Sequence, residues 1–161
     1  MILSNPYVTK RCSEIDSLLA DAQQWALKDS KLGAQLAAYL SVMIVGILED
    51  CIENLIADRV SKARDPEIYN YICSMVSARF RNPDFGSISG LLGEFSDKYK
   101  EEFKNKITPN GREADAMQSL MSNRHSVTHE GVTNLNLTIS DISTYYTNII
   151  PVLQALEQIL A

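Results

Sequence analysis

Apolar residues recur along the chain at spacings of three and four, and no long alternating apolar/polar run interrupts them, which predicts helices and no sheet. The first helix is expected over roughly Thr9 to Leu27, with Ile15, Leu18, Leu19, Ala22 and Trp25 on one face. The second is long, roughly Asp29 to Ala63, with a stripe of Leu36, Leu40, Met43, Ile47, Cys51 and Leu55. Its middle, "AAYLSVMIVGIL", is apolar all round, so neighbours must cover it on more than one side. Asp65-Pro66 opens a third helix, because proline suits a first helical position; it runs to about Phe80 with Ile68, Ile72 and Val76 inward. After the turn "RNPDFGS", Ser87 is expected to cap a fourth helix carrying Ile88, Leu92, Phe95, Tyr99 and Phe103. "TPNG" breaks the chain before a fifth helix that starts near Arg112, with Gly131 as its natural stop. The last helix begins near "TISD", where Thr138 and Asp141 form a capping-box pattern. Ile142, Tyr145, Ile149, Leu153, Leu156 and Leu160 line it, and Pro151 inside it predicts a kink. The expected fold is all-α: a bundle of five to six helices around a long central second helix, one domain over residues 1–161.

Composition narrows what such a bundle can do. A net charge of −5 argues against a protein that coats nucleic acid through bulk charge, yet leaves room for a local patch. Residues 76–112 are the positive segment, seven basic against five acidic. They carry Arg79, Arg81, Lys98, Lys100, Lys104, Lys106 and Arg112, which form either a solvated helix face or a phosphate-facing patch. Arg79, Arg81 and Lys98 are the RNA-binding candidates within it. Cys12, Cys51 and Cys73 are odd in number, and the last two lie in apolar helical patterns, so buried free thiols in a reducing cytoplasm are expected. The N-terminal "MILSNPYVTKRC" does not read as a signal peptide. The uncharged run Leu32 to Leu48 contains Gln35, Tyr39 and Ser41 and falls short of the roughly 20 apolar residues of a spanning helix, so it reads as a core helix with no membrane partner.

The stretch "NRHSVTHEG", Asn123 to Gly131, holds both histidines of the chain. Ala114, Met117, Leu120 and Met121 make the apolar stripe of the fifth helix, and the next position on that face is Arg124. A guanidinium where the pattern asks for leucine marks a buried ion pair or a working site. It needs an anion, from a ligand or from Glu49 or Asp50 on the second helix. His129 sits beside the expected helix end, next to the partial negative charge of the terminal carbonyls. An imidazole can donate and accept protons near neutrality, and an arginine can hold a phosphate with two parallel hydrogen bonds. Those are the parts of a metal-independent ribonuclease: one group deprotonates a 2′-hydroxyl, another protonates the leaving 5′-oxygen, and a cation stabilises the phosphorane-like charge.

Three readings of the stretch stay open. His125 and His129 are at i and i+4, the spacing of a helical metal pair, but the metalloprotease HExxH pattern is absent and no third ligand is signalled. The cluster also fits an ordinary helix end with a structural ion pair. In the nuclease reading, Arg124 and His129 lie about 140° apart on an ideal helix, so they converge only if the helix unwinds near Val127 or a second chain supplies a second set.

"RHSVTH" matches the R-x4–6-H signature of the HEPN superfamily, with His125 in the polar position that follows the arginine. "HEGVTNLNLTISDISTYY" is similar to the family's exit loop and closing helix. "ILEDCIENLI" and "ARFRNPDFGSISGLLGEF" resemble the RiboL-PSP/MAE-type HEPN branch, so the resemblance spans about Leu32 to the C-terminus. It implies a helical bundle that dimerises with its two motifs face to face. It also implies a metal-independent endoribonuclease of toxin–antitoxin, antiviral phage-defence or RNA-processing type, acting without a cofactor on RNA. Arg124 and His129 inherit the catalytic roles and His125 the polar supporting one; Glu49 inherits the acid that positions the arginine, and Asn123 is a further supporting candidate. An antitoxin or a nucleotidyltransferase is the further partner this implies. The alternative is a non-catalytic helical module that partners a nucleotidyltransferase or a larger defence protein.

Overall fold

The computed structural model describes residues 3–130 and 136–161. Seven helices follow in order among them: α1 Pro6–Ala26, α2 Ser30–Ser61, α3 Pro66–Arg79, α4 Phe85–Phe95, α5 Asp97–Lys106, α6 Arg112–Glu130 and α7 Ile139–Ile159. No strand occurs among the described residues. Each start has a local cause. The side chains of Asn5, Asp29, Asp65, Asp84 and Ser96 accept first-turn N–H groups of α1 to α5 that would otherwise lack partners. Thr138 and Asp141 form the expected reciprocal capping box at α7.

The long second helix is the axis of the bundle. α1, α3, α6 and α7 all pack against it. Ile44, Leu48, Cys51, Ile52 and Ile56 are buried, so cover comes from several sides, as the all-round apolar segment requires. α2 is long and apolar enough to cross a membrane by length and composition, but more than half of its most apolar window is buried inside the bundle.

Several expectations are corrected. The fourth helix is two helices. Ser96 is extended at φ −169° and ψ 135°, closes α4 with its N–H and opens α5 with its hydroxyl. A serine that bonds the local backbone offers the chain an alternative to continuing the helix, and the stripe from Ile88 to Phe103 survives because the two helices fold against each other. Phe85 then stacks on Phe103 with ring centroids 5.5 Å apart. The α4 cap is Asp84, not Ser87, whose N–H donates to it. α1 starts at Pro6, three residues before the expected Thr9, because Asn5 caps it. Leu18, Trp25 and Ile68 are exposed instead of inward; Lys28 lies over the Trp25 ring at 4.8 Å. Tyr146 and not Tyr145 is the buried tyrosine of α7, and its hydroxyl donates to the Cys12 carbonyl at 3.0 Å. Pro151 lies inside α7, as expected. Cys12 and Cys51 are buried free thiols, whereas Cys73 is half-buried. The expected stop at Gly131 lies outside the described residues.

Candidate functional site

α6 lies against α2 and α7 through Ala114, Met117, Leu120 and Met121, all buried. One turn further on, the same face brings Arg124 to α2. There its Nη1 donates to Glu49 Oε1 at 2.8 Å. The pair is shielded, with the Arg124 side chain 28 % exposed and that of Glu49 11 %. Of the two acids that could serve, Glu49 is the partner; Asp50, the next residue, pairs with Arg11 of α1 at 3.1 Å. A buried carboxylate on an apolar helix needs donors, and Glu49 has a second. The main-chain N–H of Asn82, in the turn between α3 and α4, reaches the same Oε1 at 2.9 Å. Glu49 thus ties together the motif helix, the central helix and that turn.

α6 is helical through Glu130, so the helix does not unwind at Val127. Arg124 faces the bundle, while His125 and His129 are exposed on another side of the same helix. Their rings lie 4.4 Å apart between centroids, tilted by 47°. The Thr128 hydroxyl lies 3.0 Å from both the Arg124 and His125 carbonyls, bonding within the last turn. One chain therefore presents two features that do not meet: an arginine fixed against Glu49 and a pair of solvent-facing imidazoles. Asn123 is half-buried beside them. No group of three or more metal-ligating side chains occurs among the described residues.

Of the basic candidates, Arg79 and Arg81 come together. Both line a groove of about 240 Å³ between α3 and α4, with Ser87, Gly90 and Glu94. Arg81 Nη1 also stands 3.7 Å from Glu53, one turn along α2 from Glu49, which puts this groove next to the motif. Lys98 is elsewhere, on α5, paired with Glu102 at 3.8 Å. A larger groove of about 620 Å³ between α1 and α2 borders Glu49 on another side, with Leu18, Met43 and Gly46 along it. The Asn82 contact is what the sequence reading missed. "RNPDFGS" reads as a turn, but nothing local in it signals a bond to a residue 33 positions away.

The RiboL-PSP-HEPN family model matches residues 7–161, and the chain belongs to that family. Among curated proteins and among solved structures, none matches it significantly. Membership suggests an activity of the ribonuclease or defence class, the superfamily being rich in RNases.

Proposed function

We propose that the protein is a cytoplasmic, metal-independent endoribonuclease that works as a homodimer, with a composite site built from two copies of the Arg124–His129 motif. The observation that carries this reading is the uninterrupted α6. With no unwinding at Val127, the arginine and the imidazoles of one chain point apart, and a second copy is the simplest way to put both on one phosphate. The exposed face of α2 favours such pairing. Tyr39, 61 % exposed, leads along Met43 and Gly46 to Glu49, so an interface on that face ends at the motif.

In the reaction, one imidazole takes the proton of a ribose 2′-hydroxyl as its oxygen attacks the adjacent phosphorus. Arg124 balances the charge of the pentacoordinate phosphate through N–H groups not engaged by Glu49. A second imidazole protonates the leaving 5′-oxygen. The products are a 2′,3′-cyclic phosphate and a 5′-hydroxyl, and no metal or cofactor takes part. His129 fills the acid–base role, and His125, in ring contact with it, shares or orients the proton transfer. Arg79 and Arg81 guide the flanking strand, adjacent to the motif through Glu53. A toxin–antitoxin or antiviral setting fits this chemistry, with an antitoxin or nucleotidyltransferase as partner.

The test is cleavage of pooled cellular RNA in EDTA by wild type, Arg124→Ala and His129→Ala, with product ends mapped. Cyclic-phosphate ends from wild type alone are expected, with losses of about 10²- to 10³-fold in the variants. Mixing the two inactive variants should restore part of the activity, because a mixed dimer holds one Arg124 and one His129 and keeps both copies of His125. A monomer in sedimentation at micromolar concentration removes the composite site, and equal silence from all three proteins moves the reading to the non-catalytic module.

A further inference from the structure

Among the described residues two non-glycine residues are left-handed, Arg64 and Asn82, and Asn82 is the one whose N–H reaches the site. Its φ is 57°, in the left-handed region, and Pro83 follows it, a neighbour that ordinarily drives the preceding residue to extended backbone. Asparagine tolerates this conformation better than most residues, but it still costs energy, and such strain concentrates at functional sites. Both main-chain groups of Asn82 are engaged. Its carbonyl accepts the Asp84 N–H at 2.7 Å, closing the turn. Its N–H leaves the turn and donates to Glu49 Oε1. Asp84 in turn caps α4, and buried Pro83 anchors the loop, so the N–H is braced from behind. The Asn82 side chain itself is exposed.

Two donors on one carboxylate oxygen fix Glu49 more tightly than Arg124 alone could, because the carboxylate can no longer follow the guanidinium as it moves. We infer that Asn82 is a positioning residue: its left-handed backbone aims an N–H that pins Glu49, and pinned Glu49 holds Arg124 with its remaining N–H groups presented to phosphate. This rests on the ribonuclease reading for its consequence in catalysis, but not for the clamp itself. An arginine that must stabilise a developing charge gains from being held before the substrate arrives.

The experiment compares Asn82→Gly, Asn82→Val and Glu49→Gln with wild type. Three quantities are read: the rate at which phenylglyoxal modifies Arg124, located by peptide mass; kcat and KM for RNA cleavage; and the melting temperature. Glycine accepts a positive φ and keeps the N–H, so Asn82→Gly should match wild type in Arg124 reactivity and in kcat. A β-branched valine opposes that conformation. Asn82→Val should raise Arg124 modification several-fold and lower kcat about tenfold with KM little changed, the signature of a misplaced catalytic group. Glu49→Gln sets the upper limit of the modification effect. If Asn82→Val does not fold, Asn82→Ala gives the same pattern at smaller amplitude. Unchanged Arg124 reactivity in a folded valine or alanine variant overturns the clamp, as does an Asn82→Gly that behaves like Asn82→Val. If Arg124 reactivity follows the expected order while no protein cleaves RNA, the clamp stands and the nuclease reading falls.

Discussion

Two arginines reach the central helix at consecutive residues, from different partners and to different effect. Arg124 of α6 meets Glu49, and Arg11 of α1 meets Asp50. One step along a helix turns a side chain by about 100°, so neighbours in sequence face different surroundings. Glu49 points between packed helices, with a main-chain donor as well as the guanidinium. Asp50 points to water, its side chain 50 % exposed, and Arg11 divides itself between Asp50 and Glu14 of its own helix. Cys51, the next residue, faces the core. Three successive positions thus give a site residue, a surface pair and a packed thiol. A charge pair gains functional meaning from being shielded and over-determined, not from being a charge pair.

The largest effect in that comparison belongs to Glu49. Glu49→Ala strands a half-buried guanidinium and an inward N–H, and should lower the unfolding free energy by about 2 to 3 kcal/mol in a urea titration. The figure sits near the lower edge for a buried pair because Arg124 keeps some contact with water. Activity should fall with it. A loss under about 0.5 kcal/mol, the scale of ordinary surface substitutions, would make the Glu49 pair no different from the Asp50 pair.

The sequence alone carried part of this contrast. Arg124 stood out because it occupies an apolar stripe, and a buried guanidinium demands an acid, which limited the partner to Glu49 or Asp50. The helical periodicity could not choose between them, since that depends on how α6 is rotated against α2. The helix periods, the Asp65-Pro66 start and the Thr138–Asp141 capping box are legible because they are set within a few residues. The break at Ser96 was not, because one serine in a continuous stripe leaves the period intact while the chain turns. Leu18, Trp25 and Ile68 sit at inward-looking positions of their helices, yet their neighbours cover them only in part, Trp25 under Lys28. A hydrophobic stripe reports which face is apolar, not how wide the partner is. The Asn82 clamp needed the tertiary structure outright, since a main-chain N–H leaves no mark in the residue type.

The next effect isolates the core-facing position of the trio. Burial pushes the Cys51 thiol up to about 12 from an ordinary value of 9.0. Burial also raises Cys12 and Tyr146, which pack together. A raised pKa in an acid means the fold holds the neutral form. Its contribution is fully present below the ordinary value and is lost as pH rises from there toward the folded value. Unfolding free energy measured in urea should therefore be flat to roughly pH 9 and fall by about 1.4 kcal/mol from Cys51 by about pH 10. Cys51→Ala should remove that share of the slope while costing some packing at every pH. An unchanged alkaline slope in Cys51→Ala would assign the decline to other groups.

The smallest effect sharpens the contrast most, because it asks whether the two arginine pairs differ in kind. A double-mutant cycle on Arg11 and Asp50, each changed to Ala, should return a coupling of about 0.5 kcal/mol or less, as for exposed pairs, and fade in salt as screening grows. The same cycle on Arg124 and Glu49 should return at least about 1 kcal/mol and resist salt, because the intervening space holds little water or counterion. Arg11 keeps Glu14 when Asp50 is removed, so its single variant loses little, whereas Arg124 has no second acid among the described residues to turn to. Equal couplings with equal salt dependence would mean that the shielding around Glu49 does not change how its charge is felt, and Arg124 would then be an ordinary surface cation at a helix end.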